Sequence, residues 1–399
     1  MGEQRTSRKI ISSENRGGFP LQKLPCLVTA RIIRSMKTWE QLRLCLTSKK
    51  MELITRSINL ASARYGCCFK DTDSSILIGI GNQRTSIICG STVPGIMMEN
   101  CLIREELSKW LKPTDTNELE TMLSILEKVI PILPCRYNAV YLELAEMRTI
   151  SIQDVFSHSI IRNSEGIVIK GDEEIPSDDL DYILETASRL RHLRLLNTSP
   201  PYGYNHGRIF ELKKFEFPSS EWISIEHLLK IKNSVKMNIG KNRLNYADLN
   251  RFLKYWIQSE IDMFNKYIHI EMEEDIPEDV LFNGILRLNS DYFRTISYFI
   301  KADSYQQQRN KPVLSIWYEE QTLKLTAWSP DKRWRNVDGE TGSFQGEYDA
   351  LRAVERRMEL EQILKENYDD EKILNEIREL NEQLEQLQEE LNFTIAECV

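Results

Sequence analysis

No apolar run in this 399-residue chain approaches the ~18 residues that a membrane-crossing helix needs, so no membrane span is expected. Cysteine appears in no useful spacing. The eight cysteines stand at 26, 45, 67, 68, 89, 101, 135 and 398, none in a C-x-x-C pair and none at ligand spacing from the five histidines. A zinc site or a disulfide framework is not expected; reduced thiols in the cytoplasm or nucleus are. The Gly79-x-Gly81 pair lacks a third glycine, a Lys-Ser/Thr and a following helix, so it reads as a turn and not a phosphate loop. With no nucleophile elbow and no metal-spaced cluster, no catalytic residue, metal or cofactor is assigned. The first 18 residues lack the apolar stretch of a secretory signal and read as a disordered lead.

What the chain does contain is ample core material, 41% hydrophobic against 28% charged residues. Its length suggests two or three domains. The formal net charge of −8 argues against nucleic acid as a partner. That charge is uneven: from Phe344 onward 16 residues are acidic and 6 basic. The acidity belongs to the tail.

The stretch 19–61 spells three short helices. Pro25 suits a first helical turn, and Val28, Ile32 and Met36 follow at i, i+4 and i+8 as an apolar stripe. Thr38 and Gln41 have capping-box spacing ahead of Trp39, Leu42 and Leu46. Thr47 or Ser48 caps a third helix with Met51, Ile54 and Ile58 inside. Helices this small leave apolar surface for a partner. Leu24-Pro25, Ile32-Ile33, Met36, Leu42, Leu46 and Ser48-Lys49-Lys50 together resemble the F-box, which docks a substrate receptor onto a Skp-type adaptor of a cullin-based ubiquitin ligase. The Phe19-Pro20-Leu21 start and the end at Lys50 look like the nematode branch of that family. Two features depart from it: no acidic residue stands two places after Pro25, and no Trp follows Lys50. The resemblance implies adaptor contacts from Leu24, Pro25, Leu27, Val28, Ile32, Ile33, Met36, Trp39, Leu42, Leu46 and Lys49. From the residues alone, a packing unit inside a larger domain fits as well.

Farther on, Ile76–Ile80 and Gln83–Ile88 read as a hairpin, and 117–130 as an amphipathic helix. Strand-like runs then recur at 138–144, 166–170, 192–196, 214–217, 234–239 and 267–271, with helical patterns at 177–190, 225–231 and 245–257 between some of them. A strand every 20 to 33 residues suggests an irregular leucine-rich-repeat-like α/β arc, with an ordinary α/β sheet as the competing arrangement. Within it, Leu244 to Ile257 (LNYADLNRFLKYWI) resembles the signature of the second type of F-box-associated domain of nematode F-box proteins. Its Leu249, Phe252, Leu253 and Trp256 read as a buried helix face. A final hairpin is expected at 313–318 and 322–328.

Beyond a linker at 338–342, Ile373, Ile377, Leu380, Leu384, Leu387 and Leu391 form a heptad seam, out of phase with Leu351, Val354 and Met358. Two helices are expected, either a self-associating coiled coil or a hairpin folded onto its own domain. The expected layout is an α+β and α/β chain: a lead over 1–18, adaptor-docking helices over 19–61, an F-box-associated α/β domain over 62–342 and an acidic helical tail over 343–399. The two resemblances imply a non-catalytic receptor that meets a Skp-type adaptor, through it a cullin, and an unidentified target protein. Neither nucleic acid nor a membrane is expected as a partner. Tyr202, Tyr204 and His206 are loop residues that either contact the target or form a capped surface turn. Two other readings stay open: a protein-binding scaffold with no ubiquitin link, and an α/β enzyme whose site is assembled from scattered residues.

Overall fold

The structure is a computed structural model that describes residues 21–90, 100–112, 117–292, 295–303, 309–335, 341–366 and 370–396. The expected lead, Phe19-Pro20, and parts of the 305–311 loop and the 338–342 linker lie outside the described residues. The fold is mixed α/β. In chain order it runs α1 (Cys26–Ser35), α2 (Thr38–Thr47), α3 (Lys49–Ser57), β1 (Ala63–Phe69), β2 (Ser75–Ile80), β3 (Gln83–Ile88), β4 (Cys101–Ile103), α4 (Glu118–Val129), β5 (Cys135–Glu143), α5 (Ile152–Ser157) and α6 (Ser159–Arg162). There follow β6 (Gly166–Lys170), α7 (Ser177–Thr186), β7 (His192–Leu196), β8 (Lys214–Ser219), α8 (Ile225–Leu228), β9 (Ser234–Lys241), α9 (Tyr246–Gln258), β10 (Phe264–Glu271) and α10 (Glu278–Leu281). The chain ends with β11 (Arg287–Tyr292), β12 (Thr295–Lys301), β13 (Val313–Glu319), β14 (Thr322–Trp328), β15 (Trp334–Arg335), β16 (Thr341–Gly342), α11 (Gln345–Glu366), α12 (Glu371–Leu391) and β17 (Phe393–Ala396).

Residues 21–64 with 76–136 form one compact unit. Ser48 caps α3 by accepting the Met51 N–H at 3.2 Å. The capping box expected at Thr38 and Gln41 sits one residue earlier, where the Glu40 carboxylate accepts the Lys37 N–H at 2.7 Å. Gln41 is thereby free to turn inward. Its Nε2 donates to the carbonyls of Ile33 (2.9 Å) and Met36 (3.1 Å), tying the end of α1 to α2. The core does not stop at residue 61. Gln83 on β3 accepts the Thr38 N–H at 3.3 Å, Arg43 pairs with Glu106 at 2.9 Å, and Lys109 donates to the Leu46 carbonyl at 2.9 Å. These ties join β3 and the segment after β4 to the three helices, and the compact unit that holds them runs on through α4, so the division falls elsewhere than at the expected boundary.

Residues 65–75 with 137–396 form the other unit. The six expected strands are β5 to β10, side by side in chain order and all parallel. Their register brings Val140, Ile167, Leu193, Phe215, Met237 and Ile268 into one row, each at most 2% exposed. Because side chains alternate along a strand, residues one place away in register point to the opposite face. At the edge of β9 a glycine is required: a Cβ on Gly240 would stand 2.1 Å from the Pro218 carbonyl oxygen, which is fixed backbone. The sheet turns antiparallel at β10–β14 and continues through β13, β12 and β11 to β17.

Helix α9, the helix of the Leu244–Ile257 signature, has a reciprocal cap. Asn245 Oδ1 accepts the Asp248 N–H at 2.9 Å, and the Asp248 carboxylate accepts the Asn245 N–H at 3.2 Å. Leu249, Phe252, Leu253 and Trp256 are buried as a face, each stabilising by ~1.5–3 kcal/mol. At its far end the Arg309 guanidinium lies 4.1 Å from the Trp256 ring centre and donates to the Trp256 carbonyl at 2.6 Å.

The tail is two helices, and its seam is used within the chain. Phe344, Leu351, Val354, Leu384 and Phe393 share a core with Leu288, Phe299 and Val313 of the sheet, with Leu380, Leu387 and Leu391 packed against it. Arg356 on α11 meets Glu376 on α12 at 2.8 Å. The boundary expected at 342 therefore does not separate the tail from the α/β unit, and the heptad seam proposed for self-association faces its own sheet. Leu384→Ala is expected to cost about 2–5 kcal/mol in urea unfolding while light scattering reports the same monomeric mass. A native dimer that dissociates on this substitution would put the seam between chains.

Candidate functional site

The structure splits the eleven side chains expected to meet an adaptor. Ile33, Leu42 and Leu46 are buried, so they pack their own unit and have no free surface to offer. On α1 the inner face is Thr29 and Ile33, not the Val28, Ile32 and Met36 stripe. Of that stripe Val28 is 43% exposed and Ile32 and Met36 are half-buried; beside it Leu27 is 81% exposed, Pro25 and Lys49 are exposed, and Leu24 and Trp39 are half-buried. Arg43 lies over the Trp39 ring at 4.8 Å. Leu53 on α3, absent from the expected set, is 56% exposed. Its position among Glu and Lys gave no sequence signal.

The loop expected to meet a target also divides. Tyr202 is 74% exposed beneath the Arg243 guanidinium, 4.8 Å from its ring centre. Tyr204 is instead a packing residue. It is 7% exposed, donates its hydroxyl to Asp181 at 2.6 Å and meets Trp222 edge-on. Burial and then the Asp181 carboxylate push its phenol well above the usual range. His206 is half-buried.

The broadest surface that sequence reasoning missed is the face of β5–β10 opposite the apolar row. Two rows of side chains cross it. One holds Ala139, Gly166, His192, Lys214, Lys236 and Tyr267; the other holds Tyr141, Val168, Arg194, Glu216, Asn238 and His269. Tyr137 arches over Gly166, where a Cβ would stand 2.2 Å from its hydroxyl, and reaches His192 Nδ1 at 3.1 Å. Arg194 pairs with Glu216 at 2.7 Å, and Glu216 accepts from Asn238 at 3.1 Å. His269 stacks on Tyr267 with centroids 4.1 Å apart, and Lys236 stands over the same tyrosine. The signal was present as alternation in HLRLL, KFEF and YIHIE, but only the register assembles it into rows. Among the described residues, no group of three or more His, Cys, Asp or Glu is placed to hold a metal.

Burial, then Lys324 and Lys236, hold the His269 imidazole down at about 4. The unfolded chain takes up this proton near the ordinary 6.5, so it binds more protons than the folded state between about pH 6.5 and pH 4. Stability is expected to fall as pH drops through that window, and to fall less steeply for His269→Gln in urea unfolding at a series of pH values. Equal slopes for the two proteins would remove His269 as the cause.

Known proteins resemble the part of the chain that carries this face. The model of a family described as F-box associated matches residues 206–270, from His206 through β8, β9 and α9 to β10. The Skn-1 dependent zygotic transcript 15 protein of Caenorhabditis elegans is 22% identical over 276 residues, covering 62% of this chain and 78% of the relative. No solved structure matches. The signature helix, capped and buried, lies inside the matched segment, so residues 206–270 are similar to the F-box-associated family, and the relative of this similarity is a nematode protein.

Proposed function

We propose that this chain is the substrate-recognition subunit of a Skp–cullin–F-box ubiquitin ligase. Helices α1–α3 dock on a Skp-type adaptor, and through it a cullin, while the α/β unit holds a target protein. The observation that carries the first half is the exposed apolar pair on α1, Leu27 at 81% and Val28 at 43%, on a helix that buries Ile33 fully. A soluble helix that buries one side and still presents large apolar side chains on the other is suited to a partner. The F-box-associated match carries the second half, as a protein-interaction role. The parallel strands in chain order, with one apolar face, support the leucine-rich-repeat-like reading, in which the other face is left for a protein. The chain does no bond chemistry in this role. Its contribution is proximity, bringing a target lysine to a conjugating enzyme held elsewhere in the assembly. Such a receptor works in the cytoplasm or nucleus, where thiols stay reduced. The scaffold reading drew on a tail free to dimerise, and Leu384 is buried within the chain.

Deleting the first 61 residues would open the core that Gln83, Glu106 and Lys109 share with α2, so point substitutions test the docking better. Leu27→Asp with Val28→Asp is expected to cost ~1.5 kcal/mol or more per side chain, on the order of a hundredfold in adaptor affinity. The melting temperature should hardly move, since both residues are exposed in the free chain. Full-strength binding by the double variant in co-purification and calorimetry would sink the adaptor-docking proposal.

A further inference from the structure

The charges on the open face of the parallel sheet are unevenly matched. Arg194 pairs with Glu216 at 2.7 Å, Lys170 with Glu143 at 2.9 Å, and Lys324 with Glu319. Lys214 and Lys236 are different. They are register partners on the neighbouring strands β8 and β9, so their side chains leave the same face from backbones ~4.8 Å apart. Among the described residues neither has a carboxylate within ion-pair distance. Like charges directly opposite one another across strands destabilise a sheet. The pair therefore costs the folded chain something, offset only by the contact of Lys236 with the Tyr267 ring.

The surroundings carry the same sign. Burial first and Lys214 next hold His192 below its ordinary range, and Lys324 and Lys236 add to burial at His269. Both imidazoles are thus kept neutral beside uncompensated cations. Lys236 leans over the Tyr267 ring at 4.8 Å, and His269 stacks on the same ring with centroids 4.1 Å apart, so a stacked pair of rings lies beside the two ammonium groups.

We propose that this strip of β8–β10 is where the target protein docks, through an acidic segment whose Asp or Glu carboxylates are taken by Lys214 and Lys236 while a flanking side chain rests on Tyr267. The assignment rests on reading the α/β unit as the target-binding part. Charge complementarity selects the occupant: an acidic segment removes the lysine–lysine repulsion that the free chain bears. A nucleic acid fits less well. Its unbroken row of phosphates would also meet Glu216 and Glu143, on a chain of net charge −8.

The test uses the full chain and three probes: a ten-residue peptide alternating Glu and Ser, the same peptide with Gln for Glu, and a twelve-nucleotide oligothymidylate. Binding is read by calorimetry and by the imidazole resonances of His192 and His269. The Glu peptide should bind at least tenfold tighter than the Gln peptide, weaken as salt rises, and move the His269 titration upward. Lys214→Glu with Lys236→Glu should abolish the preference while leaving the melting temperature and adaptor binding unchanged. Equal affinity for the Glu and Gln peptides would overturn the proposal, as would an unaltered preference in the double variant or tighter binding of the oligonucleotide. Adaptor binding is measured on the same samples. Its loss with an intact Glu preference removes the ligase reading alone, and its presence without a Glu preference removes the acidic strip alone.

Discussion

A parallel ladder with apolar side chains on only one of its faces is the constraint behind the α/β unit. Parallel sheets are ordinarily covered by helices on both sides and read as continuous apolar runs. Here β7, β8 and β10 alternate instead, and every second residue is half-buried or exposed. The Val140-to-Ile268 row demands a cover of helices, and Leu180, Ile183 and Leu184 of α7 and the buried face of α9 belong to that layer. The other face has no such demand. It follows that, Ala139 and Val168 apart, the side chains there are polar, aromatic or charged, and that the crossovers need bury only one side.

The tail obeys the same sheet. Tyr267 on β10 pairs with Thr326, Thr326 with Ser315, and Ser315 with Phe299, so these four lie on the open face. At Phe299 that face becomes apolar, and there Phe344, Leu351 and Leu384 of the tail cover it. The helical hairpin is therefore a lid on the antiparallel end of the sheet, which leaves the parallel part open. A heptad pattern records only that one stripe of a helix is buried. Sheet and second helix satisfy it equally well.

What could be read from residues in order was what local physics decides. The six parallel strands, the hairpin at Gly81, the Asn117 and Asn245 caps and the two tail helices all depend on neighbours a few positions away. Which side of a helix faces inward does not. Val28, Ile32 and Met36 make a better apolar stripe than Thr29 and Ile33, yet the latter are the inner pair, because Gln41 and the strands after residue 75 complete the core on that side. Tyr204 looked like a loop aromatic until Asp181, 23 residues earlier, supplied a buried acceptor. β1 and β17 went unread as strands for the same reason: they become strands by pairing with edges far away in sequence.

The open face also needs something to hold its form without a core above it. Cross-strand pairs serve there. Tyr137 spans Gly166 to reach His192, Arg194 meets Glu216, and Glu216 accepts from Asn238. Half-exposed ion pairs of this kind add little stability in water, so their effect lies in fixing side-chain positions on neighbouring strands. That use consumes Arg194 and Glu216 on the row adjoining Lys214 and Lys236. Had the lysine of β9 stood two residues along its strand, at 238, it would have fallen opposite Glu216 and been absorbed into the same chain of contacts. Their register places them opposite each other instead, and the cations of this face that remain unneutralised are the ones a partner can claim.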